Sequence, residues 1–104
     1  TVVYCQIVGG MSVMEETKKT TRKQLMLFLS RHVYAYRKRC GMSQEHMSEL
    51  LMVSPRSYIE QERGRLGFSA VSMTFYIVAM TEEEAVSFVK ELRTSFKRED
   101  TGNA

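Results

Sequence analysis

A chain of 104 residues with 43% hydrophobic and 26% charged residues has room for one hydrophobic core, and its composition is that of a folded domain, not a disordered one. A single proline and six glycines, with no repeat or low-complexity stretch, leave few breaks in regular structure and favour an all-helical fold. Net charge is only +3. Cys5 and Cys40, even with His32 and His46, give neither a disulfide framework nor metal-ligand spacing, so reduced thiols, no metal and a cytoplasmic location are expected. Phe75 to Met80 is an apolar run far short of the ~20 residues that cross a bilayer, and the N-terminus lacks the order of a signal peptide.

Thr1 to Gly10 has β-favouring residues and ends in a glycine pair, which predicts a short strand or a flexible extension over residues 1–17. No partner strand is in sight, so packing on the helical body and pairing with a second copy both stay open. Met11 and Met14 each suit a translation start, and residues ahead of them can equally be upstream sequence.

Thr20 or Thr21 is the expected cap of a first helix that runs to about Cys40. Leu25, Phe28, Leu29, His32, Val33 and Tyr36 recur at helical spacing, and Gly41 ends the helix. His32 on that apolar side reads as a hydrogen-bonded core residue. Arg37, Lys38 and Arg39 fill the last turn, where cations complement the helix dipole.

Gly41 to Gly64 reads as two short helices joined by a tight turn. Ser43 caps the first ahead of Gln44, Glu45 and His46; Met47, Leu50 and Leu51 share its buried face. Ser54 caps the second, with Pro55 at the first helical position, where a missing N–H costs nothing. Arg63 ends it, and Gly64 can take the left-handed conformation that closes it. Only the residues around Val53 are left to turn the chain, so the two helices must cross steeply.

Phe68 is expected to pack back on the core, and Ser69 to cap a fourth helix. Nine of the twelve residues from Ser69 to Met80 are apolar, which predicts a helix buried on two sides. Thr81-Glu82-Glu83-Glu84 is a capping box. Ala85, Phe88, Val89, Leu92 and Phe96 form the apolar stripe of a fifth helix reaching about Arg98, and residues 99–104 read as a frayed tail.

The stretch SQEHMSELLMVS followed by ERG resembles the Cro and λ-repressor (XRE) family of helix-turn-helix DNA-binding proteins. Gln44 matches the glutamine that opens the first motif helix, Met47 and Leu51 its buried aliphatics, Val53 and Ser54 its turn, and Glu62-Arg63-Gly64 its ending; Arg37 also matches. The likeness covers roughly residues 25 to 92. Three positions depart from the pattern: Met52 stands where glycine is usual, Ser48 where alanine is, and Gln61 where an aliphatic is. Either Ile59 turns inward to replace it or Tyr58 carries the contact.

The resemblance implies a five-helix λ-repressor-like domain over residues 18–98, with its helix-turn-helix at about 43–63. It also implies a sequence-specific transcriptional regulator, a repressor of bacterial or phage type, bound to double-stranded DNA as a homodimer. Charge distribution agrees: Lys18 to Arg65 carries a net +7, while Thr81 to Ala104 carries −2, and clustered cations are the footprint of a polyanion partner.

On the second motif helix Pro55, Arg56, Ser57, Glu60 and Gln61 are the expected base readers. Arg56 can donate a bidentate pair to guanine and Glu60 can accept from cytosine, each discriminating by ~1–3 kcal/mol. Glu60 can instead pair with Arg56 or Arg63 along its own helix. Arg37, Lys38, Ser43, Gln44, Arg63 and Arg65 are the expected phosphate contacts. No catalytic constellation is present, the eight methionines read as core filler, and neither cofactor nor small-molecule ligand is expected. A protein-binding helix-turn-helix, such as an antitoxin or adaptor, is the alternative reading.

Overall fold

The computed structural model describes the backbone of residues 10–97 and the side chains of residues 18–97. They form five α-helices in the order α1 (Gly10–Arg39), α2 (Gln44–Leu50), α3 (Pro55–Glu62), α4 (Ala70–Ala79) and α5 (Glu82–Phe96), with no strand among the described residues. The all-α, five-helix class expected from the sequence is the class observed.

Local chemistry explains most boundaries. Ser43 Oγ accepts from the His46 N–H at 3.0 Å, Ser54 Oγ from Ser57 at 3.1 Å, and Ser69 Oγ from Ser72 at 3.1 Å. Each such cap is worth about 1 kcal/mol. At α5 the capping box is complete: Thr81 Oγ1 accepts from the Glu84 N–H, and the Glu84 carboxylate accepts from the Thr81 N–H at 2.9 Å. That backbone bond is the main reason the Glu84 carboxyl lies below its ordinary pKa. Gly41 and Gly64, with φ of +69° and +81°, close α1 and α3.

α1 corrects the sequence reading. It starts at Gly10, not at Thr20 or Thr21, so the boundary placed between residues 17 and 18 falls inside a continuous helix. Met, Glu and Lys in this stretch are good helix formers, and its threonines cost only tenths of a kcal/mol each; a polar run without proline or glycine does not stop a helix. The strand expected from Thr1 onward lies outside the described residues over 1–9, as does the tail at 99–104. α5 ends at Phe96, two residues short of expectation.

The core joins all five helices: Val33 and Tyr36 from α1, Met47 and Leu51 from α2 and its C-cap, Tyr58 from α3, Tyr76 and Met80 from α4 and its C-cap, and Phe88 from α5. Phe68 packs against it as expected. α5 runs antiparallel to the second half of α1, because Glu84 meets Arg39, Glu91 lies near His32, and Phe96 sits on Phe28.

His32 is the polar centre of that contact: its Nδ1 is 2.5 Å from the Tyr76 hydroxyl, and its ring lies 4.4 Å from that of Phe88. Burial lowers its pKa, with Glu91 opposing the shift. His32 is hydrogen-bonded as expected, but half-buried at the edge of the core.

α4 departs from expectation. Only Ser72 and Tyr76 are buried on it, while Val71, Phe75, Ile77 and Val78 are exposed, Val78 by 72%. Apolar content predicted burial on two sides, yet within one chain only α2 and the α1–α5 layer cover this helix. Ser72 marks the covered face: its hydroxyl donates to the Leu51 carbonyl at 2.8 Å, satisfying the end of α2.

The α2–α3 turn is tight, with the Val53 N–H donating to the Ser48 carbonyl. Ser48 is fully buried, and its hydroxyl donates to the Glu45 carbonyl at 2.6 Å, so the buried polar group is satisfied within α2. Met52, where the resemblance would place a glycine, takes a conformation that favours glycine, at φ +63°. A non-glycine residue there costs about 1–2 kcal/mol, against about 0.5–1 kcal/mol for the greater unfolded freedom of glycine.

Met52 is 66% exposed, so its side chain contributes little packing. Met52→Gly is therefore expected to raise stability by about 0.5–1 kcal/mol and Tm by roughly 2–8 °C. Thermal unfolding followed by circular dichroism checks this, and an unchanged or lower Tm counts against the strain.

Candidate nucleic-acid interface

α3 presents two faces of opposite character. Tyr58 and Gln61, three residues apart, are 0% and 5% exposed and point into the domain. Of the two alternatives left by the sequence, Tyr58 makes the core contact and Ile59 stays half-buried. Arg56, Glu60 and Arg63 lie on the opposite side of the helix, where three- and four-residue steps make them neighbours.

Gln61, expected among the base readers, is buried. Its Nε2 donates to the Gly67 carbonyl at 3.2 Å, and its Oε1 is buried without a hydrogen bond. A glutamine was tolerated where an aliphatic is usual because the loop after α3 offers that carbonyl. Gln61 thus shares the buried side of α3 with Tyr58.

Arg37, expected at a phosphate, is engaged within the fold. Its guanidinium pairs with Glu62 Oε2 at 2.8 Å and donates to the Met42 carbonyl at 3.0 Å, and both side chains of the pair are about nine-tenths buried. The Glu62 hydrogen bond raises the Arg37 pKa further. Glu62 Oε1 also accepts from Gln44 Nε2 at 2.9 Å, so one carboxylate ties α1, α2 and α3 together.

The fully buried Tyr58 hydroxyl sits beside this pair. Burial first, then the Glu62 charge, pushes its pKa up to about 12, with Arg37 opposing. Neither that hydroxyl nor Arg37 Nε makes a well-aligned hydrogen bond.

The remaining expected residues are on the surface. Pro55 and Arg56 are exposed, and Ser57 is half-buried with its hydroxyl 3.0 Å from that of Ser54. Arg56 has no ion pair among the described residues, whereas Glu60 lies between Arg63 at 3.7 Å and Arg65 at 3.4 Å. Of the two intrahelical pairs expected for Glu60, the one with Arg63 forms; Arg65, from beyond the helix, takes the place of Arg56. Ion pairs this exposed contribute about 0–1 kcal/mol, so they hold Glu60 only weakly.

Lys38, Ser43, Gln44, Arg63 and Arg65 are all exposed. Ser43 spends its oxygen on the α2 cap. Gln44 Nε2 keeps one of its two hydrogens after bonding Glu62.

Sequence reading missed Arg31 and Tyr34. An open groove of about 420 Å³ between α1 and the α2–α3 pair is lined by Arg31, Tyr34, Arg37, Gln44, Glu62 and Arg63. The Arg37 guanidinium carbon lies 5.5 Å and Lys38 Nζ 5.9 Å from the centre of the Tyr34 ring, a geometry in which cations are attracted to the aromatic face. The groove thus joins an aromatic ring to Arg63, paired with Glu60, and to Arg31, which has no ion pair among the described residues. Among the described residues no group of histidine, cysteine and acid side chains could hold a metal, and no helix is long and apolar enough to cross a membrane.

No protein-family model, curated protein or solved structure matches the chain. The likeness to the Cro and λ-repressor family therefore rests on the residues quoted above.

Proposed function

We propose that the protein is a sequence-specific regulator that binds double-stranded DNA through α2 and α3, represses by occupying an operator, and acts as a homodimer. One observation carries the reading: the face of α3 turned away from Tyr58 and Gln61 is polar, holds Arg56 without an ion pair among the described residues, and adjoins the groove lined by Arg31 and Arg63. Pro55, Arg56, Ser57 and Glu60 are the base-reading set. Arg31, Lys38, Gln44, Arg63 and Arg65 supply the phosphate contacts that set the register.

The test is a salt titration of binding to genomic DNA fragments by the wild-type chain and Arg56→Ala. Wild-type affinity should fall steeply with salt, and Arg56→Ala should lose ~1–3 kcal/mol on the preferred fragment with relaxed choice at one base position. Arg63→Ala should weaken all fragments alike and lower the salt slope by about one. If the wild-type chain shows no salt-dependent binding, or Arg56→Ala matches it on every fragment, DNA reading fails. A protein-binding antitoxin or adaptor is then the better reading, with Glu60 held between Arg63 and Arg65 as part of a protein-facing surface.

A further inference from the structure

α1 is much longer than the body it packs on. Its 30 residues span about 45 Å, and Phe28 in its second half meets Phe96 of α5. Residues 18–24 are all exposed, so this part of the helix stands beyond the packed core. It carries Lys18, Lys19, Arg22 and Lys23, and no acidic residue occurs from Thr17 to Gln44.

None of these four cations forms an ion pair among the described residues. Lys18 with Arg22 and Lys19 with Lys23 are like charges one turn apart, which repel on an isolated helix. A projecting helix with this pattern is electrostatically suited to a polyanion laid along it.

Helical spacing divides the four. Tyr34 points into the basic groove; at 3.6 residues per turn Lys23, three turns earlier, falls within about 20° of it and Lys19 within about 60°. Lys18 and Arg22 face about 120–160° away. Lys23 and Lys19 are displaced from Tyr34 by about 16 and 22 Å along the axis, about five to seven base-pair rises of duplex DNA.

We infer that Lys19 and Lys23 extend the basic groove face and bind the phosphate backbone of duplex DNA flanking the base pairs that α3 reads. This rests on the DNA-binding reading above. The projecting half of α1 is then a rail that lengthens the site without reading sequence.

The test uses the full chain and two duplexes cut from one genomic fragment that it binds, a 20-base-pair piece centred on the protected segment and a 40-base-pair piece that extends it (both lengths on the order of the ~10-base-pair half-site spacing and its multiples). Lys19→Gln/Lys23→Gln should weaken binding to the longer duplex roughly tenfold and lower its salt slope by about two per bound protomer, while leaving the shorter one nearly unchanged. Lys18→Gln/Arg22→Gln removes the same charge from the opposite face and should leave both duplexes as in wild type.

Equal losses in the two double variants would reduce the effect to net charge and overturn the inference. A Lys19→Gln/Lys23→Gln slope equal to wild type on the longer duplex would overturn it as well. In both cases wild-type binding persists, which separates failure of the rail from failure of the DNA-binding reading, where wild type binds neither duplex.

Discussion

Arg37→Ala is expected to destabilise the fold by about 3–5 kcal/mol, the loss typical when one member of a buried ion pair is removed and its partner stays behind. Here the partner is Glu62, 8% exposed, held by Arg37 at 2.8 Å and by Gln44 at 2.9 Å. Without the guanidinium the carboxylate keeps one neutral hydrogen bond and must either protonate or drag α3 toward solvent. For a domain of this size the Tm should fall by more than about 12 °C.

Glu62→Ala should act similarly, by leaving Arg37 buried with only the Met42 carbonyl. The double variant Arg37→Met/Glu62→Met separates charge from packing. It removes both charges and restores apolar volume, so it should lie within about 2 kcal/mol of wild type. Urea denaturation gives all four values; a loss under about 1 kcal/mol in Arg37→Ala would mean that the pair is hydrated and holds nothing.

This pair also shows where sequence reading stops. Ser43, Ser54, Ser69 and Thr81 were legible as caps because a cap is a local event, decided by an oxygen and an N–H three residues on. Arg37 and Glu62 are 25 residues apart, and nothing in either neighbourhood says that they meet. At the end of α1, Arg37 reads equally as a dipole partner and as a phosphate ligand.

Arg31 was invisible for the same reason, since the groove that gives it a role exists only once α3 lies against α1. The orientation of Gln61 was open for a related reason: it stands where the resemblance has an aliphatic, and only the fold supplies the Gly67 carbonyl that makes burial tolerable. The start of α1 was missed because the cue sought was a polar cap, whereas the helix simply continues through polar residues to Gly10.

The exposed face of α4 leads to the second large expected effect, on the proposed homodimer. Val71, Phe75 and Val78 recur four and three residues apart and are 58%, 42% and 72% exposed; Val86 and Val89 on α5 are 50% and 39% exposed. Side chains of this kind grouped on two consecutive helices mark an interaction surface more often than a solvated one.

A second copy would meet the same patch by two-fold symmetry, and about 800 Å² per partner is what a specific interface needs. The wild-type chain should therefore sediment as a dimer at micromolar concentration. Phe75→Glu/Val78→Glu places two charges at the centre of that patch and should weaken dimerisation by at least about 2–4 kcal/mol, roughly 30- to 1,000-fold in Kd.

The monomer should keep its fold in this variant, because neither side chain belongs to the buried set around Tyr76; its helical circular dichroism should match wild type. Operator affinity should fall with dimerisation, since two recognition helices on one two-fold axis read twice the base pairs of one. Wild-type chain that stays monomeric with and without DNA would sink the dimer. Wild-type dimer that survives both glutamates would move the interface away from α4, leaving the exposed valines and Phe75 for a different partner.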